Sequence, residues 1–172
     1  PGVPEGSSNR NELRAARDLD NDEMTPYGAI SSTMQVVGVD GQPRFVPVAN
    51  PHALLYKAVR DCAPFATFFA QRLTQAPSTM ERPWGLILYT DGVTPGNPLA
   101  PINKRKFETC YFSFVEFGAN ALSREEAWFT IMAEFAAGIA SVSAGLSQLF
   151  AAIAKLFFDP VGFNMMTAGL LL

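Results

Sequence analysis

The sequence predicts an α/β fold, and three stretches predict it. Leu86-Ile87-Leu88-Tyr89 is a continuous apolar run held between Pro83 and Asp91-Gly92, the pattern of a short central strand buried on both faces. Phe107 to Phe117 is dense in Phe and Tyr and short enough for a second strand. Beyond it, Trp128, Met132, Phe135, Ile139, Val142, Leu146, Leu149 and Ile153 recur in alternating steps of four and three, which predicts one long helix. With an apolar terminus from Met165 to Leu172 read as a strand, the order after residue 83 is strand, strand, long helix, strand.

The remaining elements follow from local chemistry. Residues 1–23 are polar and charged with few large apolar side chains, which predicts a flexible arm. Two Val-rich runs flank Asp40-Gly41 between Thr33 and Ala49 and predict a hairpin, its second strand confined to an edge by Pro43 and Pro47. Asn50-Pro51 is a helix start, Asn as the cap and Pro where a missing N–H is harmless. Leu54, Leu55, Val59 and Cys62 continue at helical spacing until Pro64 forces a kink, after which Phe65, Phe68, Phe69 and Leu73 extend an apolar face suited to core packing. Residues 24–82 thus form a hairpin plus kinked-helix region, its last residues from Gln75 a polar linker, and 83–172 a separate α/β unit. Within that unit Pro95, Pro98 and Pro101 make a stiff loop, and Ser123-Arg124-Glu125-Glu126 reads as a capping box opening the long helix. Asp159-Pro160 ends it.

Composition excludes several classes of function. A formal charge of −3 and a pI near 5.1 do not suit a surface that grips nucleic acid unaided, and the local exception is Lys104-Arg105-Lys106. Cys62 and Cys110 are too few for a disulfide framework and stand away from other metal-type ligands; His52 is the sole histidine. Zinc sites of His and Cys are therefore not expected, and a Ser-His-Asp triad would have to use His52. No secretory signal is visible, which predicts an intracellular protein, and the missing initiator Met and the Leu170-Leu171-Leu172 end suggest an excerpt of a longer chain.

The long helix admits other readings. Its flanks carry Ala and Ser where a two-stranded coiled coil needs charge, so that assembly is disfavoured. No formal charge lies between Glu134 and Lys155, close to the roughly 20 residues that cross a bilayer. A membrane-associated protein with one helix near 135–154 is thus an alternative, although Gln148 and several serines oppose it.

Asp91 is the residue around which chemistry can be imagined. At the carboxyl end of a buried strand a carboxylate is rigidly held and well placed for magnesium; the competing reading is that Asp-Gly simply makes a turn. The blocks WGLILYTDGVTPGNPLAPINKRKFETCYFSFVEFG, ALSREEAWFT, SAGLSQLFAAIAKLFF and DPVGFNMMTAGLLL resemble a large repeated protein group of dinoflagellate genomes, a resemblance that brings no established activity. More distantly, LYTDG followed by a loop and a strand resembles the opening of the RNase H-like catalytic domain of CACTA- and Plavaka-type transposases.

That second resemblance implies a partial RNase H-like arrangement over 83–172, with Asp91 as the first of three carboxylates that hold Mg2+ or Mn2+ for phosphoryl transfer on DNA. It also implies a nuclear location. Glu116 on the second strand is a further candidate to face the site, and Lys104, Arg105 and Lys106 are candidates to contact DNA. A lone Asp does not run two-metal chemistry, so the chain as given is expected to be inactive. The non-enzymatic alternative is an interaction or structural module, in which Asp91 contributes nothing beyond turn stability.

Overall fold

The computed structural model describes residues 23–94, 106–159, 161 and 163–169. The fold is mixed α/β, and its sheets are antiparallel throughout. A small ladder of β1 (Met24–Thr25) and β2 (Gly28–Ala29) precedes the expected hairpin, β3 (Ser31–Val37) and β4 (Pro43–Ala49). Strict alternation puts Met34, Val36, Val46 and Val48 on one buried face. At the turn Asp40 Oδ1 accepts from the Gln42 amide, and Gly41 supplies the left-handed φ of +77°.

Asn50 caps α1 (Pro51–Asp61), its side chain accepting from the amides of His52 and Ala53, with Pro51 in the first turn. Cys62 breaks the helix one residue before α2 (Ala63–Gln75), because Pro64 has no N–H for a continuous ladder. Phe69 is buried, and its ring meets Trp84 and Phe117 at 5.2 and 5.9 Å. Phe65 and Phe68 are partly buried against the same cluster, and Leu73 at the end of that face is exposed.

β5 (Leu86–Val93), β6 (Phe107–Phe114) and β7 (Phe129–Phe135) form a three-stranded meander in that order. Leu86 and Leu88 turn toward the core side with Phe112 and Phe114, burial of each ring contributing about 1.5–3 kcal/mol. β4 packs on β7, and one buried cluster joins the hairpin, both helices and the meander. β5 is an edge strand of the described sheet rather than a central one. Its side chains are intermediate or exposed, so burial on both faces does not hold.

The expected long helix is absent. Between β6 and β7 lie a 3-10 turn (Val115–Phe117), α3 (Ala119–Leu122) and a second 3-10 turn (Glu125–Ala127). Ser123 ends α3 instead of capping a helix, its hydroxyl donating to Asn120 O at 3.0 Å. Phe129-Thr130-Ile131 suits a pleated surface, and pairing with β6 extends it as a strand. α4 (Ala136–Ala140) and α5 (Leu146–Phe157) follow, separated where Ala144 and Gly145 take left-handed φ of 58° and 52°. That turn is pinned to the hairpin: Val39 N donates to Ser141 O, Ser143 N to Val37 O, Arg44 to the Ser141 hydroxyl, and Val37 N to Gln148 Oε1 at 2.6 Å.

Among the described residues, the strand expected from Met165 is not formed either. Met165–Ala168 is a short helix, α6, with the Ala168 and Thr167 amides donating to Asn164 O. No helix among the described residues is long and apolar enough to cross a membrane, since 135–154 is divided between a strand end and two helices. The polar arm to residue 22 and most of the Pro-rich loop lie outside the described residues.

Candidate functional site

Alternation along β5 sends Ile87, Tyr89, Asp91 and Val93 to the face opposite Leu86 and Leu88. Across the ladder Tyr89 pairs with Tyr111, their rings stacked 6.3 Å apart, and Trp128 leans on Tyr89 at 5.9 Å. Asp91 pairs with Thr109, so their side chains are neighbours on this face. The Asp-Gly pair makes no turn: the strand runs through it to Val93.

The Asp91 carboxylate is exposed and has no hydrogen-bond or ion-pair partner among the described residues. Thr109 beside it is 4% exposed, and its hydroxyl is buried without a partner. A buried hydroxyl without a hydrogen-bond partner costs about 1–3 kcal/mol. The two side chains therefore form one polar spot on a face otherwise lined by Tyr89, Tyr111, Phe107 and Phe135.

Glu116 is elsewhere. It lies in the 3-10 turn after β6, where both carboxylate oxygens accept from Gly85 N at 3.2 and 3.0 Å while Val115 N donates to Gly85 O. It ties down the start of β5. Gly85 and Asp91 are six residue steps apart along the strand, roughly 20 Å. The structure does not bring the two carboxylates together. Lys104 and Arg105 lie outside the described residues; Lys106 pairs with Glu108 at 3.2 Å, and its carbonyl accepts from Ala136 N.

Glu108 and Glu134 face each other across β6 and β7, on the opposite face from Asp91. Gly92 makes room for the first of them: a Cβ there would stand 3.0 Å from Glu108 Oε1. This pair escapes a reading of the sequence because Glu134 falls in the stretch that looks helical. No group of three or more His, Cys, Asp or Glu among the described residues could hold a metal ion.

His52 has no triad geometry. It is 5% exposed in the first turn of α1, against Phe163, Phe157 and Tyr27 at 4.6, 6.0 and 6.1 Å, and lines a cavity of about 340 Å³ with Asn50 and Lys155. Its Nε2 has no partner, and burial pushes its pKa down to about 4, so the ring is neutral at pH 7. Cys110 is inert for the same reason, burial pushing its thiol up to about 11; Cys62 is exposed and free.

Searches of this chain against protein-family models, curated proteins and solved structures found no match.

Proposed function

We propose that this chain carries the opening part of a transposase-derived RNase H-like unit, in which Asp91 is one ligand of a catalytic Mg2+ or Mn2+ for phosphoryl transfer on DNA. The observation that carries the reading is the exposed, unpaired Asp91 on the first strand of an antiparallel meander, beside the buried and unpartnered Thr109 hydroxyl. Mg2+ takes one or two carboxylates and keeps several waters, so a single hydrated ion fits the exposed Asp91 carboxylate.

The outer edge of β5 is unpaired among the described residues and offers free N–H and C=O groups to a further strand. In the proposed unit such a strand brings more carboxylates to Asp91. When bound, the metal pair supplies charge stabilisation and an activated nucleophile; Asp91 holds and orients, and by itself does not complete the chemistry. On this reading the chain alone binds metal weakly and cleaves no DNA, its partner is DNA, and the whole protein works in the nucleus.

Calorimetric titration of the chain with Mn2+ tests it. Wild type and Glu116→Gln should give the same weak binding heat, and Asp91→Asn should lose it. Equal heats for wild type and Asp91→Asn overturn the reading. A second reading, a non-enzymatic interaction module, is favoured by the aromatic character of the same face, where Tyr89 and Phe135 are 50% and 59% exposed. It predicts that Asp91→Asn changes nothing.

A further inference from the structure

A cavity of about 640 Å³ opens between α1 and α2 on one side and α3, the second 3-10 turn and β7 on the other. Its volume lies in the range of small-molecule sites. Phe65, Phe68 and Phe129 line it, and these rings are braced: Phe65 meets Phe129 at 5.5 Å and Phe117 at 6.1 Å, and Phe68 meets Phe117 at 5.2 Å. The apolar wall is thus preformed, which spares a ligand the ordering of its own site.

The charged lining is Arg72, Arg124 and a single acid, Glu126. Arg72 lies over the Phe68 ring at 5.3 Å and donates only to the neutral Gln75 Oε1, at 3.0 Å. Neither arginine has a carboxylate partner among the described residues. On a chain of net charge −3, two uncommitted guanidiniums at a Phe-lined cavity are complementary to one kind of guest, an apolar body with an anionic head.

We propose that this cavity binds a small amphipathic anion, an unbranched medium-chain carboxylate, with its tail against Phe65, Phe68 and Phe129 and its head on Arg72 and Arg124. None of the lining residues belongs to β5, so the site is independent of Asp91.

Cys62, exposed and part of the lining, reports occupancy, whereas Cys110 is buried and stays silent in the native chain. The rate of Cys62 alkylation by iodoacetamide, a neutral reagent, is followed with decanoate and, separately, with decyltrimethylammonium, which has the same tail and the opposite head. Decanoate at ten times its dissociation constant should slow the reaction about tenfold by mass action, and the cation should not. Arg72→Gln with Arg124→Gln should abolish the protection; Arg124→Gln alone, at an exposed position that does not threaten folding, should weaken decanoate about tenfold. An unchanged alkylation rate with decanoate, or equal protection by both decyl compounds, overturns the assignment.

Discussion

Leu146–Phe157 and Trp128–Phe135 carry apolar residues in the same steps, yet the first is a helix and the second an extended strand. In α5, Leu149, Ile153 and Phe157 lie on one stripe and are all buried. Along the strand, Met132 is buried while Phe135 is 59% exposed, because residues three apart in an extended chain point to opposite faces. The ladder register shifts between Cys110 and Tyr111, and Ile131 and Met132 are consecutive yet both buried. Spacing alone therefore does not separate a helix from a bulged strand. What separates them is composition, Phe-Thr-Ile against Ala, Leu and Lys, and a partner strand that no local window contains.

The largest test of that difference is the pair Met132 and Phe135, which a helix places together on one buried stripe and the strand sends to opposite faces, 2% and 59% exposed. Urea unfolding should show a loss of about 2–5 kcal/mol for Met132→Ala and a change within about 0.5 kcal/mol for Phe135→Ala, where a helix would lose heavily from both.

The hairpin and first helix have a test of their own. The His52 pKa is about 4 in the fold and 6.5 unperturbed, so the unfolded chain takes up the proton first. Stability is then full above pH 6.5 and falls as the pH drops toward 4, by roughly 3 kcal/mol at most. Chemical denaturation at stepped pH should show this slope in wild type and a flatter one in His52→Leu over the same window.

Gly145 gives the smallest effect and an opposite sign for the two readings. In a continuous helix Gly145→Ala stabilises by about 1 kcal/mol. With φ at +52° the same change is destabilising by about 1–2 kcal/mol despite open space around it. The sign of the shift in the thermal midpoint decides.

Much of the first half was legible because its signals are local: Asp40-Gly41 at the turn, Asn50-Pro51 at the helix start, and Pro64 at the break. β5 and β6 were legible as apolar runs, and they pair antiparallel. The break at Ala144-Gly145 was hidden, since it depends on backbone contacts with Val37 and Val39 more than a hundred residues away in sequence. Of the candidate site only Asp91 could be read. Its neighbour Thr109, its edge position and the remoteness of Glu116 are consequences of strand register, which no motif encodes.

Paramagnetic broadening of backbone amide signals by Mn2+ tests the Asp91 assignment most directly. The amides of Asp91, Gly92 and Thr109 should broaden first, those of Gly85 and Glu116 at the far end of the strand should stay sharp, and Asp91→Asn should abolish the effect. Broadening that persists in Asp91→Asn, or that centres on Glu116, would contradict the account.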